Sequence, residues 1–266
     1  MDTVSALATL AYDGRRAAFF EAQLLQALTI LSEGHVSRDA LRGSWAGAMG
    51  HTQFMPCSWA EFSVDFDGDG RRNIWGDDPA DALASTANYL RHWGWTRGQP
   101  WGLEVRLPSG FDYDQTTERV KKPVAEWQAM GVRPVAGGDL PEGTEASVLL
   151  PAGHTGPAFL IFPNFQVIEK YNLADAYVIG IGHLSDRLKG GPPIAAPWPR
   201  QWRALTLEER RELQALLVAQ GLDTGGVDGR VGPKTIAAVK AWQKARGDVP
   251  DGYPSPDVLE ALRGGG

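Results

Sequence analysis

The sequence has only one cysteine, Cys57, in 266 residues. One thiol cannot build a disulfide framework, so the chain must be held together by packing, and cysteine usage leaves the redox compartment open. Clustered basic charge is also missing: 26 Lys and Arg stand against 32 Asp and Glu, a formal net charge of −6. Phosphate backbones are gripped by concentrated basic surface, so this balance excludes nucleic acid as a partner and argues against a polybasic membrane anchor. No apolar run approaches the roughly 20 residues that span a bilayer. The opening Met1-Asp2-Thr3-Val4 lacks the basic and then apolar pattern of a secretory signal. Among five histidines, His51 and His92 have no partner at metal-ligand spacing, which excludes a zinc site of ordinary type.

Glycine, proline and tryptophan are plentiful, at 32, 18 and 10 residues, in a chain that is 43% hydrophobic and 22% charged. That balance belongs to a globular protein. Tryptophan suits both core packing and stacking on sugar rings, and for any single Trp the core is the simpler expectation.

The first third reads as helical. Phe20, Leu24, Leu28 and Leu31 recur at helical spacing, with Gly34 placed to stop the helix, and Ser37 to Leu41 gives a further short helical signal. Asp78-Pro79 opens another helix as N-cap and first residue, with Leu83, Ala87 and Leu90 on one face and Gly94 at its end. From about residue 95 to 164, Gly and Pro punctuate strand-like runs at Leu103–Leu107, Ala146–Leu150 and Ala158–Phe162. Helical signal returns over Ala174–Leu188. The expected architecture is α+β, mainly α: a domain over 1–189 with a β-containing subdomain at about 95–164, a semi-rigid Pro/Gly/Ala linker over 190–202, and a small three-helix domain over 203–266. In that last domain Thr206-Leu207-Glu208-Glu209 forms a capping box, and Pro233 and Ser255-Pro256 start the second and third helices.

Two segments carry chemistry. The first is Gly43-Ser44-Trp45-Ala46-Gly47-Ala48-Met49-Gly50-His51-Thr52-Gln53-Phe54-Met55-Pro56, whose small residues permit close backbone approach. Ser44 is not a nucleophile elbow, because that motif needs Ser central in Gly-x-Ser-x-Gly after a strand. The second is Asp65-Phe66-Asp67-Gly68-Asp69-Gly70-Arg71-Arg72-Asn73. It sets oxygen side chains at positions 1, 3, 5 and 9 of a calcium loop, glycine at 6 and the Arg71 carbonyl at 7. Position 12 is Gly76 and offers no carboxylate, so Asp77, Asp78 or Asp81 must complete the set; the bland alternative is a solvated cluster of Asx turns. Cys57 is expected to be a small packing residue.

The Gly43–Pro56 segment, with Ala82-Leu83-Ala84-Ser85-Thr86-Ala87-Asn88-Tyr89-Leu90 and Lys170-Tyr171-Asn172, closely resembles the membrane-bound lytic transglycosylase B family over about residues 6–188. Leu213-Gln214, Gly226-Val227-Asp228-Gly229, Gly232-Pro233, Thr235, Ala238-Val239, Trp242-Gln243 and Asp251-Gly252 resemble the peptidoglycan-binding-domain-1 family.

The first resemblance implies a lysozyme-like fold and cleavage of the bond between N-acetylmuramic acid and N-acetylglucosamine without water. One Glu acts as general acid and then as base while the sugar's own 6-hydroxyl attacks, leaving a 1,6-anhydro end; the intramolecular nucleophile removes the need for a second carboxylate. By the same resemblance Ser44 holds the Glu or the substrate, Gln53 contacts sugars, Tyr89 lines the cleft, Phe54 and Met55 form its apolar floor, and Tyr171 with Asn172 closes it. It also implies calcium, in a structural role, on Asp65, Asp67, Asp69, the Arg71 carbonyl and Asp81.

The family's Glu-Ser/Thr-x-x-Gly motif precedes the segment matched by Ala6–Leu10, so the general acid is expected ahead of Met1. Glu21 and Glu33 read as solvated helix residues. The alternatives are a non-catalytic wall-binding protein and, more weakly, a calcium-stabilised scaffold. The expected partners are peptidoglycan glycan strands and stem peptides. The expected setting is the periplasm, as a monomer, with outer-membrane association of the intact protein.

Overall fold

The computed structural model describes residues 1–265 and divides into two compact units, Met1–Thr96 and a second that begins at Arg97.

The first unit is built from four helices, α1 (Thr3–Tyr12), α2 (Ala17–Ser32), α3 (Pro56–Phe62) and α4 (Ala80–His92). Asp2 caps α1 by accepting the Ser5 N–H at 2.6 Å, which satisfies one of the donors a helix start leaves open. The buried line of α2 is Gln23, Ala27 and Ile30, while Leu28, expected on the apolar face, is 45% exposed. Gln23 explains the rotation: its Oε1 accepts the Cys57 N–H at 2.9 Å and so satisfies a donor of the first turn of α3. Cys57 itself is exposed and not a packing residue, because that first turn directs it outward.

Ser37–Leu41 closes as a turn and not a helix: Ala40 and Leu41 both donate to the Ser37 carbonyl, too short a segment to propagate. The expected face of α4 also differs. Asp81, Ala82, Ser85 and Tyr89 are buried, and Leu83 is exposed. Ser85 accepts the Val64 N–H, and Asp81 accepts those of Phe66 and Asn73, so loop hydrogen bonds decide which face of α4 turns inward.

The second unit contains, in order, β1 (Gly102–Arg106), β2 (Lys122–Pro123), α5 (Val124–Ala129), β3 (Arg133–Pro134), β4 (Glu145–Leu149), β5 (Ala158–Ile161), α6 (Pro163–Glu169), α7 (Asp175–Leu188), α8 (Leu207–Ala219), α9 (Pro233–Arg246) and α10 (Pro256–Arg263). The strands form an antiparallel sheet in the order β2-β4-β5-β1-β3, with Leu103 opposite Leu160 and Val148 opposite Leu160 from the other side. All four residues of β5 are buried. Leu160 packs with Val105, Val148 and Trp127 of α5, whereas Phe159 and Ile161 pack with Trp101, Phe165 of α6 and Val178 of α7. A strand covered on both faces reads as a continuous apolar run, which is what Ala158–Phe162 is.

Beyond α7 the Pro/Gly segment lies along β1: the N–H groups of Ala195 and Ala196 donate to the Glu104 carboxylate at 2.8 and 2.7 Å. The three terminal helices enclose Leu213, Leu217, Val239, Trp242, Leu259 and Leu262. The capping box at Thr206 and Glu209 is formed. Buried Gln214 accepts the Gly229 N–H and donates to the Arg230 carbonyl and Thr235 hydroxyl, which ties the Asp228-Gly229 turn to the start of α9.

The helical module is fastened to the β-containing part of its unit. Asp251, with a side chain 4% exposed, accepts the His154 backbone N–H at 2.8 Å and lies 2.6 Å from His154 Nδ1. Buried Lys240 donates to the Tyr113 carbonyl and the Thr116 hydroxyl.

Candidate functional site

The loop from Gly43 to Met55 is a tight double-backed turn. Gly43 and Met49 face each other as an isolated antiparallel bridge, and the Met49 N–H donates to the Phe54 carbonyl at 2.8 Å. A Cβ on Gly43 would stand 2.0 Å from the Ala48 carbonyl oxygen, so no side chain is tolerated there. Ser44 sits inside the fold-back. Its N–H donates to the Ala48 carbonyl at 2.8 Å, and its Oγ accepts the Ala48 N–H at 3.2 Å. That leaves the hydroxyl proton as a donor to something outside the loop.

Gln53 has φ of 52°, and only one other non-glycine among the described residues, Arg16, is left-handed. Its Nε2 donates to the Gly50 carbonyl at 2.8 Å, which holds the exposed amide in one orientation and keeps Oε1 as an acceptor. Strain of this kind persists where the surroundings impose it and is concentrated at functional positions. Phe54 is 3% exposed and lies beneath the loop against Phe62 at 6.4 Å and Tyr89 at 5.6 Å. Met55 is half-buried at the N-terminus of α3. Burial pushes the Tyr89 phenol up from its ordinary value, against a smaller opposite effect of its hydrogen bond with Trp93, so it remains a neutral hydroxyl. Tyr171 and Asn172 lie in the second unit, in the turn between α6 and α7, where Asn172 Oδ1 accepts the Ala174 N–H at 3.0 Å.

In the acidic loop, carboxylate oxygens of Asp65, Asp67 and Asp81 lie within 4.8 Å of one another. Asp81 is buried and reaches this cluster from α4. Gly70, at φ of +84°, makes the sharp turn, and its N–H donates to Asp65 Oδ2. Asp69 accepts the Arg71 N–H, and Asn73 Oδ1 accepts those of Trp75 and Gly76. The Asp69 N–H pulls the Asp67 carboxyl down, but desolvation and the charges of Asp69 and Asp81 outweigh it and raise the net value. A converging set of hard oxygen donors fits a divalent cation of the calcium class.

A second acidic cluster was not legible in the sequence. Glu118, Glu169 and Asp175 also bring carboxylate oxygens within 4.8 Å of one another. Burial, and then the charges of Glu169 and Asp175, push Glu118 up to about 7. Glu169 and Asp175 are raised as well, in both cases first by burial. In the first unit Glu21, Glu33 and Glu61 are exposed and lack the desolvated setting of a general acid.

The transglycosylase SLT domain family matches residues 1–186, and the peptidoglycan binding domain family matches residues 206–262. Membrane-bound lytic murein transglycosylase B of Escherichia coli K12 is 35% identical over 188 residues, 68% of this chain and 49% of that protein; the chain thus spans about half the length of that relative. SltB3 from Pseudomonas aeruginosa, whose crystal structures hold NAG-anhNAM-pentapeptide and NAG-NAM-pentapeptide, superposes with a TM-score of 0.94 at 53% identity, over 99% of this chain and 71% of that one. Escherichia coli Slt35, solved in complex with calcium, gives 0.59 at 32% identity over 71% of this chain and 59% of that one.

Proposed function

The chain belongs to the transglycosylase SLT domain family, and from that premise we propose that it is the wall-binding and cleft-forming part of a lytic transglycosylase acting on peptidoglycan. The reaction is scission of the bond between N-acetylmuramic acid and N-acetylglucosamine, with a 1,6-anhydro end as product. The observation that carries this reading is the Gly43–Met55 loop, which spends backbone strain at Gln53 and offers one hydroxyl donor and one amide acceptor from a single fold-back. Ser44 donates to the general acid in its carboxylate state or to a sugar oxygen. Gln53 Oε1 accepts from a sugar hydroxyl. Phe54 supports the loop from below, and Met55 with Tyr89 completes an apolar floor. Tyr171 and Asn172 supply further contacts to the glycan. The family resemblance implies a Glu as general acid, and the exposed Glu21, Glu33 and Glu61 of the first unit lack the desolvated setting for it.

Calcium, when bound on Asp65, Asp67, Asp69, the Arg71 carbonyl and Asp81, neutralises the crowded carboxylates and holds the loop against α4; its role is structural. No helix among the described residues is long and apolar enough to cross a membrane. The protein acts as a monomer on glycan strands and stem peptides in the periplasm, and the intact protein associates with the outer membrane.

The test is incubation with purified sacculi followed by mass spectrometry of the soluble products. The chain alone should sediment with sacculi and release nothing. A chimera preceded by the Glu-bearing segment of the Escherichia coli relative should release anhydro-muropeptides. Reducing-end products formed by water, or no sedimentation at all, would sink the reading.

A further inference from the structure

A groove of 790 Å³ runs within the second unit between the helical module and the β-containing part, and the residues described so far for the reaction do not line it. One wall comes from α9 and the turn after Gly252, the other from residues 114–119, the end of β4 and the first residue of α7. Its apolar lining is aliphatic, with Leu149, Leu150, Pro151, Ile236, Ala237 and Ala241 among it. Sugar sites are made from aromatic faces on which rings stack. Here Tyr253 is the only aromatic residue in the lining. Patches of this kind suit methyl groups.

The charges are unevenly compensated. Lys244 pairs with Asp114, buried Lys240 is taken up by the Tyr113 carbonyl and Thr116, and Asp251 is held by His154. Glu118 and Asp175, hydrogen-bonded to each other, stand on the groove wall with Glu169 beside them, and the cations acting on this trio are Lys121 and Lys170. Three carboxylates against an apolar floor, with both cations outside the lining, favour an arriving cation that carries small aliphatic groups.

We propose that this groove binds the stem peptide of peptidoglycan, with the side-chain ammonium of its diamino acid against Glu118 and Asp175 and its alanine methyls on the α9 wall. The site is composite. The helical module supplies the apolar wall, and the β-containing part with α7 supplies the charge. Arg119, also in the lining, is available to the peptide carboxylates. The high proton affinity of Glu118 fits this role, since an ammonium would relieve the repulsion that burial and two neighbouring carboxylates impose. The proposal rests on the wall-degrading reading above for the identity of the peptide.

The experiment is calorimetric titration of the full chain, at pH 8, with the tetrapeptide L-Ala-γ-D-Glu-diamino acid-D-Ala and with the same peptide acetylated on its side-chain amine. Acetylation should weaken binding at least about tenfold. The double variant Glu118→Gln/Asp175→Asn should bind the free-amine peptide as weakly as the parent binds the acetylated one, while both proteins sediment equally with sacculi. Equal affinity for the two peptides, or no peptide binding, by a chain that still sediments with sacculi would overturn the groove and leave the wall-degrading reading intact. Loss of sedimentation as well would remove both. Should the double variant fail to fold, the comparison of the two peptides on the parent chain decides alone.

Discussion

Gly43 and Glu118 are single residues whose surroundings, not their type, set what they do. At Gly43 a methyl group would collide with the Ala48 carbonyl, which is backbone in a loop already doubled on itself. Gly43→Ala should therefore destabilise the first unit by roughly 2–4 kcal/mol, read as a lower denaturant midpoint with the slope unchanged. At Glu118 the effect depends on pH. The folded chain keeps this proton up to about 7, whereas an unfolded chain releases it near 4.5. The folded state binds more protons across that window, so stability falls as pH climbs through it and is level above. Glu118→Gln should raise stability by at most about 3 kcal/mol at pH 8 and change nothing below pH 4. A flat difference between variant and parent across pH 4–8 would contradict this. Gly43 is legible in the sequence because it sits in an unbroken motif. The Glu118 cluster is not, because residues 118, 169 and 175 share no spacing and meet only when β4, α6 and α7 have packed.

At the level of elements, the three strand-like runs and the longer helices follow the sequence patterns, whereas the short helices and the helix faces do not. Leu83 and Ala87 mark an apolar stripe on α4, yet the buried stripe is Asp81, Ala82, Ser85 and Tyr89. Periodicity scores hydrophobicity, while the orientation of this helix is decided by backbone N–H groups of the acidic loop that need Asp81 and Ser85 as acceptors. The loop and helix therefore form one structural unit, and a cation held by Asp65, Asp67 and Asp81 would brace both. Calcium should raise the melting temperature of the chain and a chelator reverse it. At a hundredfold excess over the dissociation constant the gain is about 2.7 kcal/mol. Asp65→Asn/Asp67→Asn leaves the hydrogen bonds of Asp81 in place and should abolish the calcium response without abolishing folding. A response of unchanged size in that variant would rule out this cluster as the calcium site.

At the scale of the whole molecule, the semi-rigid Pro/Gly/Ala linker over residues 190–202 leads into a helical module that polar contacts fasten to the β-containing part of the second unit. The sequence carries no local signal of this, since the fastening joins His154 to Asp251 and Tyr113 to Lys240, single polar residues about a hundred positions apart. Asp251 is the strongest of these ties. Burial raises its carboxyl, and the backbone and ring of His154, the Tyr253 N–H and the Gln243 amide outweigh that and hold it below its ordinary value. Its contribution is present above about pH 4 and is lost as pH falls through the lowered value. If the module merely hung from a spacer, cutting this tie would leave the β-containing part unmoved. Because the parts are packed together, Asp251→Ala strips four hydrogen bonds from a buried group and should cost roughly 3 kcal/mol. That loss should appear in both halves at once. Amide hydrogen exchange followed by mass spectrometry of the segments around Trp127 in the sheet core and Trp242 in the helical core should show the same lowered stability. A loss confined to the Trp242 segment would mean that the module unfolds by itself and that the composite groove is only transiently assembled.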